Sequence, residues 1–208
     1  MVQKEPQGAA RPRGRPRSFD PDAVLDKARA VFWNLGYAAT SLDDLAAATG
    51  LNRPSLYAAF GDKHALYLAA LERSRAEATA ALGAALSSEA PLRAVLTAIF
   101  DRTVEIYRRG DEGQRGCFLI GTAVTQAVDD PEARALLGRY ITETDGLFRA
   151  RFERGGFALA SGVTPAGAGA MASGTFHTLA IRARTGAGEA ELKAVGQAAV
   201  DMICGPKP

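Results

Sequence analysis

From Asp20 onward the apolar residues recur every three to four positions, which is the period of a helix and not of a strand. Val24, Leu25, Ala28, Val31, Phe32 and Leu35 make one stripe. Asp20 stands where a cap belongs, Pro21 fits the first helical position where its missing N–H is no loss, and Asp22 complements the positive helix end. Gly36 ends this first helix. A second helix starts at Ser41, where Ser41 and Asp44 have the spacing of a capping box with Asp in place of the usual Glu or Gln. Leu42, Leu45 and Ala46 form its inner face, and Gly50 stops it. Asn52 caps a third helix with Pro54 in its first turn; Leu56 and Phe60, four apart, point to one core, and Gly61 ends it. Asp62 caps a fourth, much longer helix through Leu66, Leu68 and Leu71 to about Leu86.

Five further helices follow over residues 91–109, 116–128, 131–154, 165–184 and 189–203, separated by glycine- and proline-marked breaks. The pattern predicts an all-α protein of about nine helices, with no internal repeat. The alanine- and glycine-rich stretch 161–174 suits close helix packing or a loose loop.

With 208 residues, 47% hydrophobic and 23% charged, the chain suits one or two compact domains. It has no run of about 18 apolar residues and no apolar stretch after its polar start that would act as a secretory signal, so a cytoplasmic protein with no membrane partner is expected. Cys117 and Cys204 lie far apart with no histidine near either, so no metal, cofactor or disulfide framework is expected. The net charge of +2 is unevenly spread. Up to residue 19, Lys4, Arg11, Arg13, Arg15 and Arg17 stand against Glu5 alone, which puts +4 on that stretch and −2 on the remainder. A basic arm on a nearly neutral body points to a polyanion touched at one end. Residues 1–18 are read as a flexible basic arm in which R-P-R-G-R-P-R alternates guanidinium groups with helix breakers. Arg13, Arg15 and Arg17 are candidates for phosphates or a narrow minor groove.

The second and third helices, short and joined by a turn at Gly50, have the form of a helix-turn-helix within a three-helix unit, although a plain helical bundle has the same spacing. With Leu56 and Phe60 inward, Pro54 and Ala58 point away from the core, Ser55 and Tyr57 flank them, and Arg53 sits at the exposed start. No acidic side chain lies on this helix to repel a phosphate backbone.

Gly36-Tyr37, Thr40-Ser41-Leu42-Asp43-Asp44-Leu45-Ala46, Gly50-Leu51-Asn52-Arg53-Pro54-Ser55-Leu56-Tyr57 and Phe60-Gly61-Asp62-Lys63-His64-Ala65-Leu66 together resemble the tetracycline-repressor (TetR) family of transcriptional regulators. The resemblance covers roughly residues 18–71. It implies an all-helical homodimer whose third helices enter the major groove of a palindromic double-stranded DNA operator, with a small-molecule effector held behind them. It divides the chain into the arm, a DNA-binding domain over 19–64 and an effector-binding and dimerisation domain over 65–208. Carried over position by position, Tyr57, Lys63 and Thr40 or Ser41 contact phosphates, while Arg53, Ser55 and Ala58 face bases beside Pro54. Only Arg53 has the fork for a bidentate contact to guanine. Ala58-Ala59 departs from the family, where an aromatic and a bulky polar residue often follow the tyrosine, so the direct code is thin and the arm supplements it.

An effector pocket between helices draws on Phe100, Tyr107, Cys117, Phe118, Thr122, Thr125, Gln126, Tyr140, Thr144 and Phe148, many of which fit a core equally well. No cluster of charges marks them, so a neutral or weakly polar inducer is expected. Cys117 follows Arg115-Gly116 at a predicted helix start, where cation and helix dipole lower a thiol pKa. That makes a thiol-based electrophile or redox sensor the alternative to an ordinary buried cysteine. Trp33 reads as packing, His64 as solvent-facing or near phosphate, and His177 as a satisfied core histidine. Ala172, Gly174, Ala180, Ala183, Ala194, Ala198 and Ala199 offer a surface for a twofold four-helix interface. Two rivals remain: an enzyme, for which no paired-carboxylate, nucleophile-and-base or metal constellation is present, and a sequence-tolerant architectural DNA binder.

Overall fold

The computed structural model describes residues 19–109, 115–155 and 159–205, and all regular structure among them is helical. The three-helix head consists of α1 Pro21–Leu35, α2 Leu42–Thr49 and α3 Arg53–Phe60. Its boundaries are set by local chemistry. The Asp20 carboxylate accepts from the Asp22 N–H, the Asn52 side chain accepts from the Ser55 N–H, and the Ser41–Asp44 box forms in both directions. Gly50 turns α2 into α3 with left-handed backbone at φ 75°, a conformation that costs other residues more. Val24, Ala28, Phe32, Leu45 and Leu56 are buried between the three helices. Leu35, the last member of the predicted stripe, is half exposed.

Helix α4, Lys63–Leu86, starts in the head and continues into the second layer, so one rod joins the two. Behind it lie α5 Leu92–Tyr107, α6 Val124–Gln126, α7 Pro131–Glu153, α8 Pro165–Arg184 and α9 Glu189–Cys204. Helix α7 packs along α8 and α4, α9 packs on α5 and α8, and α1 lies on α4. Arginine clusters fasten these layers: Arg73 meets Asp22, Asp26 and Glu77, Arg29 meets Asp26 and Glu77, and Arg75 joins Glu72 to Glu143. The stretch 161–174 resolves in favour of helix, since Thr164 caps α8 and Gly169 lets α8 approach α7, where an added Cβ would lie 3.0 Å from the Asp145 carbonyl.

The helix predicted over 116–128 departs from expectation. Residues 115–117 have no regular structure, a π-helical turn occupies Leu119–Ala123, and only α6 follows it. Gly116 explains the delay: at φ 63° it passes so close to α8 that a Cβ would sit 2.5 Å from the Ala180 carbonyl. The wide turn then lets the Thr122 hydroxyl donate to the Phe118 carbonyl at 2.8 Å while accepting from the Tyr67 hydroxyl at 3.0 Å. No helix among the described residues is long and apolar enough to cross a membrane.

Candidate nucleic-acid interface and effector cavity

The outward side of α3 matches the sequence expectation. Arg53, Pro54, Tyr57 and Ala58 are exposed, Tyr57 to 48%, and Ser55 is half-buried beneath them. A tyrosine presented to water on a short capped helix has little to gain from folding alone, which separates this face from that of a plain bundle. Arg53 is not idle: Nε donates to Asp43 Oδ1 at 2.8 Å and Nη2 to Asp43 Oδ2 at 2.5 Å, a two-pronged pair that holds its pKa above the usual arginine value. The Arg53 guanidinium is therefore oriented by α2. Helix α3 itself carries no acid, as expected; the acid comes from its neighbour.

Other predicted contacts are placed differently. Thr40 is only 2% exposed and its hydroxyl donates to the Gly36 carbonyl at 2.6 Å, so that group is committed inside the turn. Ser41 is exposed at the α2 N-terminus and its hydroxyl is tied to Asp44. Lys63 spans back from α4: Nζ donates to the Tyr37 carbonyl at 3.0 Å and the Thr40 carbonyl at 2.8 Å and sits 4.4 Å from the Tyr37 ring centroid. It braces the α1–α2 connection and keeps one N–H in reserve. His64 is half-buried, and Nε2 lies 2.8 Å from Asp130 Oδ2 at the start of α7, with Glu132 Oε2 3.9 Å from Nδ1. These three offer metal-type ligand atoms close together, but Asp130 Oδ1 is already the α7 cap and accepts from Glu132 and Ala133. The His64–Asp130 pair ties the start of α4 to the start of α7. Arg13, Arg15 and Arg17 lie outside the described residues.

A cavity of about 920 Å³ opens between α1, α4, α5 and α7. Five of the ten predicted ligand residues line it, namely Tyr107, Cys117, Phe118, Tyr140 and Thr144. The other five do not, and of these Thr125 is exposed to solvent. Phe100 and Phe148 both pack against Phe176 in the core, Thr122 is bound between Tyr67 and Phe118, and Gln126 closes α6. Sequence reasoning missed Arg29 and Trp33, which bring α1 to the cavity wall, and the alanines of α4 and α5 that leave it empty, Ala78, Ala81, Ala94 and Ala98. A run of alanines on the facing sides of two neighbouring helices was the available signal.

Cys117 does sit at a helical N-terminus, its carbonyl accepting from Gly121, yet the expected activation is reversed. Burial pushes the thiol above its ordinary value and outweighs the Ile120 and Leu119 N–H groups and the Tyr107 and Tyr140 hydroxyls that favour thiolate. The Arg115 guanidinium is occupied over the Trp33 ring, 5.2 Å from its centroid. Tyr107 and Tyr140 are also held in their protonated forms, first by burial and then by Cys117. His177 is not satisfied: its Nε2 is buried with no hydrogen-bond partner among the described residues, and burial lowers its pKa. On α8, Ala172, Ala180 and Ala183 face this chain's own core, whereas Ile181 and Met202 of α8 and α9 are exposed by 58% and 60%. Ala194 and Ala198 are exposed as well.

A capped helix-turn-helix that presents polar and basic groups, carried on a rod that passes a large apolar cavity, defines a helical DNA-binding regulator. Residues 24–70 match the family described as bacterial regulatory proteins, tetR family. The chain is 37% identical over 142 residues to the HTH-type transcriptional repressor ComR of Escherichia coli K12, covering 67% of each chain. It is 32% identical over 135 residues to the HTH-type regulator YezE of Bacillus subtilis 168, covering 65% of this chain and 69% of that one. Among solved structures, a cysteine-substituted form of the TetR-family regulator CifR in complex with 26-bp operator DNA superposes with a TM-score of 0.80 at 30% identity, covering 91% of this chain and all of the other. The chain belongs to the TetR family of transcriptional regulators.

Proposed function

We propose that the protein is a homodimeric repressor that grips a palindromic operator through paired α3 helices and is released by a small molecule in the cavity. The observation that carries this reading is the preset outward face of α3, with Arg53 aimed and Tyr57 exposed, on a head whose continuation α4 forms a wall of the cavity. Arg53 exchanges Asp43 for guanine; Pro54, Ser55 and Ala58 border the bases; Tyr57, Lys63 and the α2 start at Ser41 approach phosphates; and Arg13, Arg15 and Arg17 add contacts from the arm. The head functions as a unit over 19–64 and the remainder as the effector and dimerisation unit. Exposed Ile181 and Met202 support pairing through α8 and α9 about a twofold axis. Its named relatives are regulators, and we read this chain likewise rather than as an enzyme.

Selection of bound duplexes from a random library at about physiological salt tests this directly, because nonspecific phosphate binding is weakened there. An inverted repeat is expected. On that site Arg53→Ala costs about 1–3 kcal/mol and relaxes one base position in each half-site. Replacing Arg13, Arg15 and Arg17 together by Ala weakens binding and flattens its salt dependence. No enrichment by folded, ligand-stripped protein rejects the reading.

A further inference from the structure

We propose that the cavity takes an uncharged, mainly apolar molecule whose one hydrogen-bonding head meets Tyr107, Tyr140 and Cys117, and whose body lies directly on Trp33 of α1. Occupancy then acts on the DNA-binding head without an intermediate layer. The inference rests on the effector reading above and specifies its ligand and its route.

The ligand class follows from where charge sits. The enclosed end of the cavity carries the two tyrosine hydroxyls and the thiol, all three residues buried and all three groups protonated. They donate and accept hydrogen bonds but carry no positive charge with which to offset a buried anion. The guanidinium groups around the cavity are engaged or wet: Arg29 is paired with Asp26 and Glu77, Arg102 with Glu105, Arg115 stacks on Trp33, and Arg109 is exposed. The remaining wall is largely alanine and aliphatic. A ketone, amide or phenol on a hydrocarbon body fits these demands, and a carboxylate does not.

The route follows from Trp33. Its Nε1–H donates to the Arg115 carbonyl at 2.8 Å, its ring lies 5.9 Å from that of Phe118, and its own carbonyl accepts from Arg184 of α8 at 3.0 Å. The stretch 115–117 thus begins at Trp33 and ends at Cys117, on the ligand head. Gly116 between them is pinned against the Ala180 carbonyl, so this stretch has no slack to absorb a displacement. A ligand that pushes on Trp33 and on Cys117 has different contact energies in two positions of α1, which is the requirement for coupling.

The chain has a single tryptophan, so its tryptophan emission reports Trp33 alone. Three probes of one ring size are titrated: 2-acetylnaphthalene, 2-naphthoate and 2-ethylnaphthalene. Saturable quenching by the ketone is expected, at a midpoint about tenfold below those of the other two, the worth of one hydrogen bond. Tyr140→Phe removes that advantage and leaves 2-ethylnaphthalene unchanged. With operator duplex from the selection, and affinities read by calorimetry because Trp33→Phe has no tryptophan emission, the ratio of ketone affinities for free and DNA-bound protein falls about fivefold or more in Trp33→Phe, and in the same direction in Arg184→Ala, which leaves the ring in place. Tighter binding of 2-naphthoate, or no binding by any probe, overturns the ligand class. Calorimetric binding without quenching overturns the location, and an unchanged affinity ratio in both variants overturns the route. The operator reading stands apart from all of these, since the duplex selection uses no ligand.

Discussion

The head and the cavity behind it treat space in opposite ways. In the head, Phe32, Leu45 and Ala28 are fully enclosed, and α1, α2, α3 and the start of α4 each begin with a side-chain cap. In the second layer, α5 and α9 begin without side-chain caps, one helix turn is π-wound, and small residues hold open about 920 Å³. The head presents Arg53 and Tyr57 in fixed positions, and its helices are over-determined. The second layer instead keeps unfilled volume and accepts the lost contact energy. The same chain therefore places tight packing at one end of α4 and deliberate vacancy alongside the other.

That contrast is sharpest under truncation of the head core. Phe32→Ala should lose about 3–5 kcal/mol, read as a lower midpoint in urea unfolding, because nothing near the ring collapses into its place. High pH should strike the other end. Cys117 and Tyr107, with ordinary values of 9.0 and 10.0, titrate higher when folded, as does Tyr140, and Tyr67 is pushed up to about 12. Their stabilisation is whole below about pH 9, where both states are protonated, and is lost as pH rises toward the folded values while the unfolded chain ionises first. Thermal midpoints should hold up to about pH 9 and fall above it, with the tyrosinate absorbance of the buried Tyr67, Tyr107 and Tyr140 appearing on unfolding. Removing the capping box by Ser41→Ala should cost about 1 kcal/mol and weaken operator binding through α2. Smallest of all, Ala81→Leu, which adds carbon into the cavity, should change stability by less than about 0.5 kcal/mol while blocking the naphthyl probes. A loss as large as that of Phe32→Ala would mean that the vacancy is not real.

The head was legible because its determinants are local. Ser41 and Asp44 are three residues apart, as are Asn52 and Ser55, and such pairs form within a turn regardless of what packs behind them. The cavity was legible only in part. Phe100 and Phe148 show the same helical spacing as Tyr107 and Tyr140, and only the position of Phe176 decides that the first two meet in the core. Trp33 looked like packing, and it is packing, but against a segment 82 residues away that no pattern on α1 announces. The Arg53–Asp43 pair was hidden because it bridges two helices whose relative angle is set by Gly50. Thr40 was read by the company it keeps in the family motif, whereas its hydroxyl turns back on Gly36 within its own loop.

The Leu119–Ala123 π turn holds one residue more than the α-helical ladder and confines that excess to a single loop of backbone. Gly121 within it has open space where a Cβ would be. Deleting that one codon should leave the helix intact, rotate the residues on one side by about 100° relative to the other, and carry Thr122 away from Tyr67. A lineage lacking the extra residue would keep the same rod and the same head, but would line its compartment with a different set of side chains.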